Sequence, residues 1–214
     1  MTGPAVSNPP KLWVLAGPNG AGKTSLFNEM LRGEIPFINA DEIAVENSAP
    51  GQGLDVVEAG RIAVERRNQA LARGDNFSIE TTLSGTSAIR FMKRAKALGY
   101  KIDFAYVGLD SAEMSSDRVS LRVSEGGHDV PEEAIIRRYP DSLSKLEQAM
   151  RLADRAYIFD NSGRERQLLL IVEDQKAIWI ELQLPNWVEE AVPEDLRRFR
   201  RPGGTGREKP GIEI

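Results

Sequence analysis

Short apolar runs alternate with longer amphipathic stretches along most of this 214-residue chain. That rhythm predicts strands exchanging with helices, and so a parallel sheet covered by helices. The first strand is expected at Leu12–Ala16 and a short second one at Phe37–Ala40, with a helix over Ser25 to Arg32 between them. A long helix is predicted from Leu54 to Arg73. Its apolar positions are Val57, Ala59, Ile62, Ala63, Ala70 and Leu71, and Gly74 is its expected C-cap. A third strand at Phe77–Glu80 precedes a helix over Ser87–Leu98 that stops at Gly99, and the fourth strand is Ile102–Leu109. Helices follow at Ala112–Val123 and Glu132–Ala153, the second expected to break near Pro140, and Ala156–Phe159 is the fifth strand. After Gly163 the pattern changes. Leu168–Val172 and Ala177–Leu182 flank Glu173-Asp174-Gln175-Lys176 and read as a β-hairpin at a sheet edge, with Trp179 and Trp187 expected in the core.

Composition narrows the setting. A hydrophobic share of 41% suffices to bury one core. The net charge of −4 gives polyanions no bulk attraction, so nucleic acid is not an expected partner. The absence of cysteine excludes disulfides, thiolate metal sites and cysteine nucleophiles. The first ten residues, with Pro4, Pro9 and Pro10, lack the basic start and apolar stretch of a secretory signal. No run reaches membrane-spanning length, so a cytoplasmic protein with no membrane partner is the expectation.

The chemistry begins at Gly17-Pro18-Asn19-Gly20-Ala21-Gly22-Lys23-Thr24, a full phosphate-binding loop between a predicted strand and a predicted helix. Strand, glycine turn and helix N-terminus together make an anion site. Backbone N–H groups of this loop and Ser25 are expected to wrap the phosphates of ATP, with Lys23 on the β- and γ-phosphates and Thr24 on Mg²⁺. The fold class expected is therefore α/β: a P-loop NTPase/kinase fold with a parallel five-stranded sheet flanked by helices and an added C-terminal β-hairpin. Residues 1–10 are expected as a flexible N-terminus and 11–163 as the kinase core, with a lid at about 112–140. Residues 164–199 extend the same domain and 200–214 form a flexible tail.

A phosphate loop names a nucleotide and leaves the reaction open; the other strand ends must decide it. Asp41, in Asn39-Ala40-Asp41-Glu42, suits the orientation and deprotonation of an attacking hydroxyl, or simply the capping of the next helix. Glu80 suits a place near Mg²⁺ or substrate, or a plain exit of the sheet into solvent. Thr81 and Thr82 suit hydrogen bonds to a polar substrate or to a turn. Arg118 and Arg122 lie one helical turn apart, and Gly126-Gly127-His128-Asp129-Val130-Pro131 leads on to Arg137-Arg138. These cations on both sides of a glycine turn suit a lid that grips phosphate; with Glu125, Asp129, Glu132 and Glu133 nearby, they also suit a salt-bridged helix pair. His128, the sole histidine, suits a turn or lid role better than a base. Asn161, in Asp160-Asn161-Ser162, follows the last core strand and suits a base pocket or an Asx turn. Leu83-Ser84-Gly85 matches the start of a transporter-ATPase signature, but the long spacing and the apolar Asp-Glu strand of that family are missing.

In this order the motifs resemble the zeta-toxin family of P-loop kinases, specifically its short bacterial members. The resemblance rests on Gly17–Thr24, Asn39–Glu42, Ser78-Ile79-Glu80-Thr81-Thr82-Leu83-Ser84-Gly85, Arg118–Arg122, Gly126–Pro131 with Arg137-Arg138, and Phe159–Ser162. It implies ATP-dependent phosphorylation of a sugar hydroxyl of UDP-N-acetylglucosamine, a product that cannot feed cell-wall synthesis. It further implies that Lys23 and Thr24 bind ATP and Mg²⁺ and that Asp41 activates the hydroxyl. Glu80 is implied in substrate or metal binding, Arg122 and Arg138 in clamping the transferring phosphate, and an antitoxin protein in blocking the nucleotide site. The chain is shorter than the larger toxins, and segments that cradle uridine are not matched. Another hydroxyl acceptor, or a regulatory ATPase without an acceptor, stays open.

Overall fold

The computed structural model describes residues 8–46, 56–127 and 129–198. In chain order the elements are β1 (Lys11–Ala16), α1 (Lys23–Met30), β2 (Phe37–Ile38), α2 (Ala40–Glu46), α3 (Val56–Arg73), β3 (Phe77–Thr81), α4 (Ser87–Ala97) and β4 (Lys101–Gly108). There follow α5 (Ala112–Ser124), α6 (Glu132–Leu143), α7 (Leu146–Leu152), β5 (Arg155–Asp160), β6 (Gln167–Glu173), β7 (Lys176–Ile180), α8 (Asn186–Ala191) and α9 (Glu194–Arg197).

The strands form one sheet in the order β2-β3-β1-β4-β5-β6-β7. The first five run parallel, and β6 and β7 continue the sheet antiparallel, as the apolar runs predict. β1 lies between β3 and β4, so the chain leaves it in one direction and later returns on its other side. Ligands in open α/β sheets bind outside the strand C-termini at such a reversal. The phosphate loop leaves β1 there.

Alternation along each buried strand sends side chains to two cores. Leu12, Val14 and Ala16 of β1 join Phe104, Ile158 and Trp187 on one face of the sheet. Trp13 and Leu15 join Leu26, Phe27, Tyr157 and Phe159 on the other. Trp13 and Tyr157 stack there with ring centroids 5.7 Å apart. Trp187 is core, as expected, but stands on α8 rather than on the hairpin, and Trp179 is half-buried.

Three expectations are corrected. The second strand is two residues long and gives way to a helix at Ala40. The helix break lies past Pro140, which sits inside α6. At Ser144–Lys145 the Ser144 Oγ and Lys145 Nζ both donate to the Asp141 carbonyl, at 2.8 and 2.9 Å, which satisfies a carbonyl at the helix end. Helices α8 and α9 were not predicted; each begins just after a proline, Pro185 and Pro193, as helix starts often do. His128 and the expected tail at 200–214 lie outside the described residues.

Candidate active site

The loop after β1 is built by three glycines in backbone conformations that side chains rarely adopt. Gly17, Gly20 and Gly22 have φ of 140°, 71° and 89°. At Gly17 the restriction is doubled, because a Cβ would lie 2.1 Å from the Val107 carbonyl oxygen of β4. The loop is also tied from outside. Ser115 Oγ of α5 donates to the Asn19 carbonyl at 2.6 Å, and Asn161 Nδ2 donates to the Ala21 carbonyl at 2.9 Å. Asn161 in turn hangs from β4 through its N–H to the Gly108 carbonyl, at 3.0 Å.

Lys23 opens α1 and is only 6% exposed. Its ammonium donates to the Pro18 carbonyl at 2.9 Å and lies 3.5 Å from Glu80 Oε1. Glu80, near the end of β3, gathers the site. Its Oε2 accepts from Thr24 Oγ1 at 2.9 Å and from Asn39 Nδ2 at 3.1 Å. The exit-to-solvent reading of Glu80 therefore fails: it is only 19% exposed and engaged by three side chains. The Thr24–Glu80 oxygen pair suits a small octahedral dication, since ligand distances of about 2.0–2.1 Å place neighbouring ligand oxygens about 2.9 Å apart. Among the described residues no cluster of three or more His, Cys, Asp or Glu could hold a metal.

Asp41 sits in the first turn of α2, not at a strand end. The capping role belongs to Asn39. Its carbonyl accepts from the Ile43 N–H at 3.1 Å, and its Oδ1 accepts from the Asp41 N–H at 2.9 Å. Asn39 thus caps α2 with one end of its amide and holds Glu80 with the other. An asparagine just before Ala-Asp-Glu is a legible helix start, so this residue could have been found in the sequence.

Asp41 lines a cavity of about 1230 Å³. Thr24 borders it on the loop side, Arg122 and Gly126-Gly127 on the α5 side, and Phe27 and Phe37 form part of its apolar wall. The two rings stack with centroids 4.0 Å apart. Arg32 and Glu42 also line it. Glu42 is pushed above the usual carboxylate range by burial, with Glu46 and Glu80 adding to the effect and Arg32 opposing it.

The four arginines are not equivalent. Arg118 stands beside the loop, its Cβ 3.0 Å from where a Gly20 Cβ would be. Arg122 is half-buried on the same helix and reaches the cavity. The turn at Gly126-Gly127 closes over it: the Gly127 N–H bonds the Arg122 carbonyl at 2.9 Å, and a Gly127 Cβ would fall 2.6 Å from Arg122 Cγ. On α6, which packs against α5, Arg138 is half-buried and Arg137 exposed. Thr81 Oγ1 accepts from the Leu83 N–H at 3.0 Å, and Thr82 Oγ1 lies 2.9 Å from Ser84 Oγ. Both threonines shape the turn after β3, where Leu83 has a φ of 57°. Ser25 is exposed on the first turn of α1.

One group carried no sequence signal, and for another the sequence suggested only a place in the core. Arg67 of α3 reaches the backbone behind Glu80, and Trp187 of α8 donates Nε1–H to the buried Asp160 Oδ1 at 3.0 Å. Asp160 also accepts from Ser162 Oγ and N–H, at 2.7 and 3.2 Å, and Ser162 Oγ accepts from the Asp110 N–H at 2.9 Å. The turn that carries Asn161 is therefore pinned from both sides.

A family model described as Zeta toxin matches residues 4–169. An uncharacterised protein of Haemophilus influenzae (strain ATCC 51907 / DSM 11121 / KW20 / Rd) is 33% identical over 136 residues, covering 60% of this chain and 97% of that protein. Among solved structures, the AvrRxo1-ORF1:AvrRxo1-ORF2 complex with sulphate ions superposes with a TM-score of 0.64 at 17% identity, over 80% of this chain and 61% of that one. The same pair with ATP gives 0.65 at 16% identity, over 80% and 60%. The PezAT chromosomal toxin–antitoxin system of Streptococcus pneumoniae gives 0.55 at 21% identity, over 80% and 75%. At these identities the structural likenesses establish the P-loop kinase fold. This chain spans less than two thirds of the AvrRxo1 chain. The family model, running from before the phosphate loop through Asn161, covers the ordered set of motifs around Glu80 and Asp41, and the chain belongs to the zeta-toxin family.

Proposed function

We propose that this chain is an ATP-dependent phosphotransferase, moving the γ-phosphate of ATP to a sugar hydroxyl of UDP-N-acetylglucosamine or a related nucleotide sugar. The observation that carries the reading is the cavity itself. Thr24 at the phosphate end, Asp41 and Arg122 share one wall system with room for a large acceptor. A regulatory ATPase without an acceptor has no use for such a space beside its phosphate loop. Another hydroxyl acceptor is the second reading, since the described residues around the cavity do not single out a uridine.

We assign the residues these roles. Loop N–H groups from Gly17 to Ser25 bind the phosphates, and Lys23 exchanges the Pro18 carbonyl for phosphate oxygens. Thr24 and Glu80 are the residues that would hold Mg²⁺, which supplies charge neutralisation across the β- and γ-phosphates. Asp41 accepts the proton of the acceptor hydroxyl and orients its oxygen in line with the γ-phosphorus. Arg122 and Arg138 face the transferring phosphate, with Arg118 and Arg137 as further phosphate contacts, because a guanidinium fork matches phosphate oxygens. In this reading Asn161 contacts the nucleotide, and Thr81 and Thr82 take part in acceptor binding from the turn they shape. The PezAT structure is of a toxin–antitoxin system, which supports an antitoxin partner and a toxic role here. No helix among the described residues is long and apolar enough to cross a membrane.

The test is mass spectrometry of the purified protein with ATP, Mg²⁺ and UDP-N-acetylglucosamine. The expected product is heavier by one phosphoryl group. Asp41→Asn should keep ATP binding and slow transfer by about 10²–10⁴-fold. No product from folded, ATP-binding protein would eliminate this acceptor; a fully active Asp41→Asn would eliminate Asp41 as the base.

A further inference from the structure

β2 is only two residues long, and among the described strands it pairs with β3 alone, through Phe37↔Ser78 and Ile38↔Ile79. The β2–β3 ladder therefore ends one residue before Asn39 and Glu80, while Glu80 itself stays paired with β1 through Leu15↔Glu80. Asn39 and Asp41 follow Ile38, and Glu80 follows Ile79. A two-residue edge strand has little stiffness of its own.

Arg67 of α3 supplies the missing link. Its Nη2 donates to the Ile38 carbonyl and to the Glu80 carbonyl, both at 3.3 Å. One guanidinium thus joins the two strand ends beyond the last ladder pair. Its Nε is buried with no hydrogen-bond partner. Burial lowers its pKa, and only the Glu80 charge opposes that. Arg67 is half-buried, and a cation withdrawn from water and only partly satisfied costs stability that an apolar side chain of similar volume often would not. Its placement needs a use that packing does not provide.

We propose that Arg67 is a positioning residue for the transfer site. It straps the C-terminal end of β2 to β3, holding the Asn39–Asp41 turn, and with it the Asn39 amide, against the Glu80 carboxylate. It touches neither nucleotide nor acceptor. For its effect on turnover the proposal rests on the phosphotransferase reading; for its effect on metal-dependent nucleotide binding it does not.

The experiment measures ATP affinity by calorimetry, with Mg²⁺ and with EDTA, in wild type, Arg67→Lys and Arg67→Met. Transfer kinetics and melting temperature are measured on the same samples. Lysine keeps the charge but lacks the planar fork that spans two carbonyls. Groups that orient metal ligands typically contribute about 10–100-fold to metal affinity or activity. Both variants should therefore lose about 10-fold or more in kcat and in Mg²⁺-dependent ATP affinity. Metal-free ATP affinity should stay within about 3-fold, because the loop and Lys23 have no bond to Arg67. Equal losses with Mg²⁺ and with EDTA would mean a general structural role and overturn the proposal. Arg67→Lys matching wild type in both readouts would also overturn it, and this arm decides the matter if Arg67→Met fails to fold. If wild type transfers no phosphate to any acceptor, the phosphotransferase reading fails while the Mg²⁺-versus-EDTA comparison still judges Arg67.

Discussion

Replacing Gly108 with alanine drives a methyl group into the indole of Trp187. An alanine Cβ would lie 2.2 Å from Cζ2, 2.3 Å from Cη2 and 2.7 Å from Cε2. Carbon atoms settle about 3.5–4.0 Å apart, so one partner must move by more than about 1 Å. Neither moves freely. Gly108 closes β4, in register with Asp160 of β5, and its carbonyl holds the Asn161 N–H at 3.0 Å. The indole is 4% exposed, tilted against Tyr106 at 5.9 Å, and bonded to Asp160. Gly108 is not at positive φ, so the clash is the whole effect. Overpacking of this kind costs about 1–3 kcal/mol. Losing the Trp187 donor to a buried carboxylate adds about 1–3 kcal/mol. A total near 4 kcal/mol corresponds to a Tm fall of about 8–16 °C for a chain of this size. The assay is thermal and urea unfolding of Gly108→Ala, Trp187→Ala and the double variant. Trp187→Ala alone should cost about 3–5 kcal/mol. In that background the added methyl should cost almost nothing, giving a coupling of several kcal/mol, beyond the range usual for independent sites. A Gly108→Ala protein within about 1 kcal/mol of wild type, or strict additivity of the two changes, would refute the packing argument.

Two further predictions use other parts of the fold. Asp103 on β4 is held up to about 6 by burial, against the pull of Lys11 and Arg155 and with Asp154 and Glu173 raising it further. The folded state then binds the extra proton between about pH 4 and 6, so this group's contribution to stability is present below that window and is lost as pH rises through it. Asp103→Asn should therefore stabilise the protein by about 1–3 kcal/mol at pH 7 and by almost nothing at pH 4; equal effects at both pH values in urea titrations would contradict this. Asn161→Ala removes the donor to the Ala21 carbonyl and should weaken ATP binding by about 3–10-fold, the worth of roughly one hydrogen bond; unchanged affinity by calorimetry would show that the loop holds its shape without it.

Most of the scaffold was legible because its causes are local. Apolar runs with helical spacing between them gave the five parallel strands in order, and Gly74 and Gly99 marked helix ends. Positive-φ glycines in a Gly-x-x-x-x-Gly-Lys-Thr string mark the phosphate loop wherever it occurs. Even the neighbourhood of Glu80 and Asp41 was foreseeable, because ligands in such sheets gather at strand C-termini. The misplacements were at boundaries. Phe37–Ala40 reads as a strand from its apolar residues, yet Asn39 caps a helix there, and Pro140 looks like a break although the chain turns four residues later.

What the sequence by itself determined, then, was the order of elements, the loop conformation and the set of chemical groups available, all set by periodicities and backbone preferences within a few residues. Only the tertiary structure decided which groups meet. Thr24 and Glu80 are 56 positions apart, Arg67 and Ile38 are 29 apart, and Trp187 and Asp160 are 27 apart. These contacts depend on β3 and β4 flanking β1 out of chain order and on α8 folding back under β4. No local pattern encodes that choice, because it is made by the burial of two faces of one sheet at once.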